Sequence, residues 1–288
     1  MAVFFCDTDC ELWYTTAKEL GVKVIPMPYT VDGEERLYDL GENTDIKAFF
    51  DRMRAGAAVS TAGLNPQTYI DIFEPYFKAG EEVLYVAFSS RMSNTFSYLD
   101  TAIAELKAKY PDAKYRRYDT LNISMGAGIM VYLAAKFFNA HGGDVDATCA
   151  YLDTLVQNVA VLFVVDDLKY LARGGRLSPA KAKIGNVLQL KPVLYVNKEG
   201  EIDVLTKQSG FKKAMSFIVS EFARKYLPVE GAPVVIVGAD CDGYVAELRS
   251  RIEPEAGGAE IIVQPVGPVI GAHCGPGTFG IIFTADSR

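Results

Sequence analysis

The stretch from Val161 to Val196 constrains the fold of this chain most strongly. It begins inside the apolar run Val159–Val165, which contains no polar residue. A short, valine-rich run predicts a strand that is buried on both faces of a sheet. Gly174-Gly175 then predicts the end of a helix, because glycine readily adopts the left-handed conformation found after helices. The connector is short, so Arg176 is expected to occupy a well-defined position directly after the glycines.

Two helices are predicted within this connector before the chain becomes extended again. Asp166 is a candidate N-cap for the first helix, and Ser178-Pro179 fits the N-cap and first-turn proline of the second. The second helix is predicted to end near Leu190, because Lys191-Pro192 follows and a residue before proline favours extended backbone.

The order of predicted elements indicates an α/β fold with two different halves. Strands and helices alternate over residues 1–158, which predicts a parallel sheet covered on both faces. Hairpin patterns follow, such as the turn at Lys198-Glu199-Gly200, and they predict a mixed sheet. We therefore expect an N-terminal parallel α/β/α sandwich over residues 1–158 and a C-terminal mixed-sheet α/β domain over residues 159–288. Asp32-Gly33 predicts a hairpin turn and residues 59–65 a loop.

Charge and cysteine content argue against several classes of partner and site. The formal net charge is −7, which disfavours binding to nucleic acid or to an anionic membrane surface. The five cysteines include no C-x-x-C pair and favour a reducing cytoplasm over a disulfide framework. No signal peptide or apolar stretch of membrane-spanning length, roughly 20 residues, is evident. Two histidines and scattered cysteines predict no metal site.

Two loops rich in hydroxyl groups follow predicted strands, one with Ser60-Thr61 and one with Ser93-Asn94-Thr95. Open α/β sheets bind ligands at the carboxyl ends of their strands. Each loop leads into a helix, and the first N–H groups of a helix bind carboxylates and phosphates. The alternative is that these residues only cap the helices, which is a common role for serine and threonine.

The segment from Gly267 to Gly277 is a third candidate. Its four glycines and two prolines predict a shaped loop that presents His273. A structural and a functional role for this histidine both stay open. A hydrolase that uses Ser93, His273 and a carboxylate such as Asp7 is an alternative function, although no nucleophile motif accompanies these residues.

Four blocks of the chain resemble signature segments of the DegV family. They are FVVDDLKYLARGGRLSPAKAKIGNVLQLKPVLYVNKEGEI, YDTLNISMGAGIMV, SSRMSNTFSYLDTA and IGAHCGPGTFGIIF. They occur in the family's order and cover essentially the whole chain. The resemblance implies a non-enzymatic cytoplasmic protein that holds one long-chain fatty acid in an apolar tunnel between its domains. It further implies that the fatty-acid carboxylate is presented to a separate ATP-dependent kinase, which forms an acyl phosphate.

The resemblance also implies which residues contact the ligand. Thr61 falls on the family's carboxylate-binding threonine, and Asn94 replaces a glycine whose backbone N–H group it retains. Met125, Ile129, Leu188 and Phe279 are among the candidates for the tunnel wall, with plain core as the alternative. No catalytic residue or cofactor is implied. The predicted ligand-binding residues are Ser60, Thr61, Ser93, Asn94, Thr95, Arg176 and His273.

Some positions depart from the family pattern. The family's opening T-D-S-T reads Cys6-Asp7-Thr8-Asp9 here, and Ser209 replaces the arginine that the family uses toward the kinase. Lys207, Lys212 and Lys213 are candidates to replace that arginine. A third possible function is a carbonyl-binding domain like that of dihydroxyacetone kinases, which would take a short polar ligand.

Overall fold

The computed structural model describes residues 1–178 and 190–288. The strands are Ala2–Asp7 (β1), Lys23–Ile25 (β2), Pro28–Val31 (β3), Glu34–Leu37 (β4), Val59–Thr61 (β5), Glu82–Ala87 (β6), Tyr115–Asp119 (β7), Val159–Val164 (β8), Leu190–Val196 (β9), Ile202–Ser209 (β10), Val234–Gly238 (β11), Ile261–Pro265 (β12) and Phe279–Thr284 (β13). The helices are Tyr14–Glu19 (α1), Ile46–Arg54 (α2), Pro66–Lys78 (α3), Thr95–Lys109 (α4), Met125–Ala140 (α5), Val145–Leu155 (α6), Lys169–Arg173 (α7), Phe211–Lys225 (α8), Asp242–Ile252 (α9) and Pro268–Cys274 (α10).

The first half of the chain contains a four-stranded sheet with the order β2-β1-β6-β7, in which all neighbours are parallel. The predicted parallel sheet is therefore confirmed. Helices α1 and α4 supply the crossovers that parallel neighbours require. Because β1 and β6 are adjacent and parallel, the segments that follow Asp7 and Ala87 leave the sheet at the same edge. This edge is where the candidate site is built.

A small antiparallel sheet with the order β4-β3-β5 lies beside the first one. The predicted hairpin at Asp32-Gly33 is present, and both residues have positive φ, as a two-residue hairpin turn requires. The predicted loop at residues 59–65 is partly wrong, because Val59–Thr61 forms β5 and pairs with β3. Three residues are too few for strand periodicity to be recognised in the sequence.

The second half of the chain forms a six-stranded mixed sheet with the order β10-β9-β8-β13-β11-β12. Only β11 and β12 pair in parallel, and the other neighbours are antiparallel. Strand β8 is buried along its whole length, as the apolar run predicts. Val161 and Phe163 pack into one hydrophobic cluster, and Leu162 and Val164 into the other, because alternate residues of a strand face opposite sides.

The predictions for the connector after β8 have different outcomes. The predicted N-cap Asp166 is wrong: Leu168 occupies the N-cap position of α7 and makes no side-chain capping bond. Asp167, one residue earlier, accepts a hydrogen bond from the Lys169 N–H at its Oδ1, at 2.8 Å. Gly175 has φ +73° directly after α7, as predicted for a helix end. The predicted helix from Ser178 to about Leu190 lies mostly outside the described residues.

The predicted loop at residues 267–277 is wrong over most of its length, since Pro268–Cys274 forms helix α10. Pro268 stands in the first turn and Gly275, with φ +77°, follows the last turn. These are the usual positions of proline and glycine at helix boundaries. Position 271 lies inside the helix and is occupied by glycine, because a Cβ there would collide with the ring of Phe50. Glycine and proline content alone therefore predicts a loop where a short helix forms.

Glu11 joins the end of β1 to the second half of the chain. Its buried carboxylate accepts hydrogen bonds from the Ser124 hydroxyl and the Gly267 N–H, and its backbone carbonyl accepts one from the Gln264 amide. Burial raises the pKa of Glu11 to about 7, although both hydrogen bonds to the carboxylate act in the opposite direction. Ionised Glu11 therefore destabilises the folded state relative to the protonated acid.

We expect Glu11→Gln to change how stability depends on pH. The folded pKa of Glu11 is about 7 against an ordinary value of 4.5, so the unfolded state releases its proton first as pH rises. The wild type should lose stability as pH rises through this window, by on the order of 2 kcal/mol between pH 5 and pH 8. The variant should lack this loss. Urea unfolding across this range measures it, with Glu199→Gln at an exposed position as the control. Parallel curves for the wild type and Glu11→Gln would contradict the expectation.

Candidate functional site

A largely apolar cavity lies where the parallel sheet and the six-stranded sheet approach each other. Its apolar wall includes Phe88, Ile123, Val161, Phe163 and Ile282, which come from both halves of the chain. The cavity volume is about 180 Å³, whereas one buried water needs about 10–15 Å³. The space is therefore suited to a ligand with an apolar body.

The structure brings six of the seven predicted ligand-binding residues to this cavity. They are Thr61, Ser93, Asn94, Thr95, Arg176 and His273. Ser60 is the exception: it is exposed and does not line the cavity. Alternate side chains along β5 face opposite sides, so Ser60 and Thr61 cannot both face the cavity.

His273 and Thr61 are in contact across the cavity. The Thr61 Oγ1 and His273 Nε2 atoms are 2.7 Å apart, although the residues are separated by 212 positions in the chain. Gly174 packs directly against the imidazole, and a Cβ at that position would collide with the ring. This contact explains why a glycine precedes the left-handed Gly175. Nδ1 of His273 is buried and has no partner among the described residues.

The surroundings of His273 favour its neutral form. Burial, followed by the charges of Arg176 and Arg173, lowers the pKa of His273 to about 4. At neutral pH one ring nitrogen therefore carries a proton and the other accepts a hydrogen bond. The imidazole can thus donate or accept a hydrogen bond but does not carry a fixed positive charge.

We expect His273 of the ligand-free protein to stay neutral down to about pH 5, because protonation would place an uncompensated charge in the buried site. The chain has two histidines, so His141→Gln leaves a single imidazole to follow. The ¹H–¹⁵N spectrum of that variant, labelled at histidine, should show a titration midpoint well below the ordinary value of 6.5. A midpoint near 6.5 would contradict the burial of this side chain.

The segment Ser93–Thr95 forms the start of helix α4. The hydroxyl oxygens of Ser93 and Thr95 are 2.8 Å apart, and the Thr95 N–H donates to Ser93 Oγ at 3.3 Å. Asn94 occupies the N-cap position, but its side chain makes no capping hydrogen bond. Both hydroxyls line the cavity, so they offer donors to a ligand at its edge.

Arg176 is held in place by backbone carbonyls. Its Nε donates to Met92 O at 3.0 Å and its Nη1 to Gly174 O. These bonds tie the turn after α7 to the Ser93 segment. Burial lowers the pKa of Arg176, and the charge of Asp9 acts in the opposite direction. The result is a positive charge at the same part of the cavity as the hydroxyls and His273.

The structure does not assemble the serine–histidine pair of the alternative hydrolase. Ser93 bonds to Thr95, and His273 contacts Thr61. Within residues 1–178 and 190–288, no three His, Cys, Asp or Glu side chains are grouped to bind a metal. Over the same ranges, no helix has the length and apolarity required to span a bilayer.

Sequence reasoning missed several residues of the cavity. Met125 and Ile129 line a separate groove beside Trp13, and Phe279 packs against Phe211 in the second cluster. Leu188 lies outside the described residues. The polar cavity residues that were missed are Asp9, Ser124 and Thr278. The alternation of side chains along strand β8 predicts that Val161 and Phe163 face the same side, and both line the cavity.

Sequence comparison matches this chain to known proteins over nearly its full length. A family model described as "Uncharacterised protein, DegV family" matches residues 3–286. A DegV domain-containing protein of Clostridium perfringens, CPE0026, is 32% identical over 286 residues, which cover 99% of this chain and 98% of the relative. A second relative, YteA of Lactococcus lactis, is 30% identical and covers 96% and 94% of the two chains.

Solved structures share the fold. A DegV family protein from Thermus thermophilus, described for its fatty-acid binding, superposes with a TM-score of 0.82 at 28% identity and covers 99% of this chain and all of its own. A DegV family protein from Eubacterium eligens, loaded with heptadecanoic acid, gives a TM-score of 0.83 at 18% identity, with 99% and 100% coverage. The second likeness establishes the fold alone.

Proposed function

This chain belongs to the DegV family, and on that premise we propose that it binds one long-chain fatty acid in the cavity. The observation that carries the proposal is an apolar cavity with its hydrogen-bond donors gathered at one part of the wall. The fatty-acid binding described for the Thermus thermophilus relative supports it. We also propose that residues 1–158 and 159–288 are two domains, with the ligand between them.

The apolar wall accounts for the affinity and the polar groups for the orientation. A tail of about sixteen carbons gains on the order of 12 kcal/mol gross on leaving water, at about 0.8 kcal/mol per methylene. Association and ordering costs remove a large share of this gain. The carboxylate needs replacement hydrogen bonds, because an unpaired buried charge is strongly unfavourable. In this proposal they come from Thr61, Ser93, Arg176 and His273, all of which line the cavity.

The protein acts without catalysis of its own in this proposal. It presents the bound carboxylate to a separate ATP-dependent kinase, which forms the acyl phosphate, and the need for ATP implies a cytoplasmic location. Ser209 stands at the exposed end of β10, where the family has an arginine toward the kinase. We therefore expect fatty-acid binding to be retained even where transfer to a kinase is weak.

Mass spectrometry of the purified protein tests the proposal. Native spectra should show one ligand per chain, and organic extraction should release a single long-chain fatty acid. Added palmitate should occupy the delipidated protein in a one-to-one ratio. A protein that is empty after purification and that refuses both palmitate and oleate would contradict the proposal.

A further inference from the structure

Asp9 is a buried carboxyl group that opens into the cavity and lacks a partner. It lies in the turn Thr8–Cys10 after β1, its side chain is only 7% exposed, and it lines the cavity. Its Oδ1 is buried and has no hydrogen-bond partner within residues 1–178 and 190–288. A buried polar atom without a hydrogen-bond partner in the protein is rare, and its usual partner is a bound ligand or an ordered water.

The turn that carries Asp9 is held firmly, so the orientation of its carboxyl group is fixed by the fold. The Asp9 N–H donates to Asp7 Oδ1 at 3.0 Å, and Asp7 Oδ2 accepts from the Tyr85 hydroxyl at 2.6 Å. The Thr8 hydroxyl accepts from the Met27 N–H at 2.9 Å. Asp7 and Thr8, the two residues before Asp9, are both held by these hydrogen bonds. The Asp9 side chain therefore cannot easily rotate out of the cavity into solvent.

The charges around Asp9 disfavour its ionised form. Burial, followed by the charges of Asp7 and Glu11, raises its pKa well above the ordinary range, and only Arg176 acts in the opposite direction. The charge of Asp9 also acts on Tyr69 of helix α3: burial and then Asp7 raise the pKa of Tyr69, and Asp9 adds to this more weakly. Arg176 directs two bonds to the carbonyls of Met92 and Gly174 and forms no ion pair with Asp9.

A protonated Asp9 has one O–H group to donate, and its buried Oδ1 has no hydrogen-bond partner among the described residues. Because Asp9 lines the cavity, a molecule that fills the cavity can supply the acceptor. Asp9 interacts electrostatically with Arg176, and Arg176 is bonded to the residue before Ser93. Asp9 lines the same cavity as Arg176 and Ser93, two of the residues proposed to bind the ligand carboxylate.

We propose that Asp9 binds the ligand head as a carboxylic acid, donating its O–H to the ligand carboxylate so that one proton is held between the two carboxyl groups. This inference rests on the proposed fatty-acid function. Two carboxyl groups that share a site with little water cannot both ionise. When free Asp9 is ionised, binding takes up one proton from solvent. When free Asp9 is protonated, binding takes up none. Asp9 thereby selects an anionic, hydrogen-bond-accepting head over a cationic one.

Affinity for palmitate measured against pH tests this role. The delipidated wild type should bind less tightly as pH rises above the ionisation of Asp9, by up to tenfold per pH unit. Asp9→Asn keeps the shape and supplies an amide N–H donor, so its affinity should stay within about threefold of the wild type's best value and show no such slope. Asp9→Ala removes the donor and should bind at least about tenfold more weakly at low pH. Asp146→Asn, at an exposed position, is the control for a lost charge and should follow the wild type.

The number of protons taken up on palmitate binding is a second measurement. A folding defect in a variant would not produce the expected change in this number. In calorimetry with buffers of different ionisation enthalpy, the wild type above the ionisation of Asp9 should take up one proton on binding and Asp9→Asn none. The inference would be overturned, with the proposed function intact, by two results together. The wild type would show neither a pH-dependent affinity nor proton uptake, and Asp9→Asn would bind palmitate more tightly at every pH, which would mean that Asp9 is ionised. Failure of the wild type to bind palmitate at any pH would overturn it together with the proposed function.

Discussion

Ile270→Trp is expected to lower the affinity for palmitate about 100-fold. Ile270 is a half-buried residue of helix α10 that lines the cavity, so an indole at this position extends into the space of the tail. If about four methylenes can no longer be buried, the loss is on the order of 3 kcal/mol at about 0.8 kcal/mol each. Every 1.4 kcal/mol corresponds to about a tenfold change in affinity. A fluorescence or calorimetric titration of the delipidated protein measures this directly.

Val263→Trp is the matched control, because it adds the same side chain at a site that is 41% exposed on the edge strand β12. It should bind palmitate like the wild type. Circular dichroism should show that both variants are folded. Unchanged affinity and stoichiometry in Ile270→Trp would show that the cavity is not where the tail resides.

Arg288→Met is expected to lower the free energy of unfolding by roughly 4 kcal/mol. The buried guanidinium donates to the backbone carbonyls of Leu121, Thr120, Val156 and Asn197. It thereby connects the segment before α5, the end of α6 and the turn after β9. Methionine fills a similar volume but leaves these carbonyls without their donor, and each buried unpaired group is worth about 1–3 kcal/mol.

Urea unfolding followed by circular dichroism measures the Arg288 effect. The control is Arg224→Met, which removes an exposed pair with Glu221 and should change stability by less than about 1 kcal/mol. Burial lowers the pKa of Arg288 to about 10, so the effect should be constant between pH 6 and pH 8. Equal stability of the two variants would mean that water replaces the guanidinium at these carbonyls.

The sequence was sufficient to predict the parallel sheet and the mixed sheet because their signals are local, whereas strand β5 of the three-stranded sheet was predicted as a loop. The run Val159–Val165 is apolar for as long as β8 is buried, and the hairpin at Asp32-Gly33 has the residues that its positive φ angles need. Helix α10 was hidden because its composition is that of a loop, while its stability depends on packing against Phe50 and neighbouring rings. Composition does not report such long-range packing.

The sequence predicted individual site residues but not how they are arranged. Family resemblance predicted that Thr61 and His273 contact the ligand; the structure shows that they contact each other, and their role toward a ligand stays a prediction. Adjacency wrongly added Ser60, since neighbours in a strand point apart. Asp9 stood out only as part of a departure from the family's opening T-D-S-T. It was not predicted in the site, because a carboxylate in a polar segment is usually solvated, and only the fold reveals that this one is enclosed.

The order in which the cavity wall is synthesised has a consequence for when it is filled. Thr61 and Ser93 are synthesised early, whereas His273, which belongs to the same wall, is added 212 residues after Thr61, and Ile282 is added later still. A nascent chain that ends before His273 therefore lacks part of the cavity wall. Under the proposed function, such a chain should not enclose a fatty acid, so loading is expected only after His273 and Ile282 have been added.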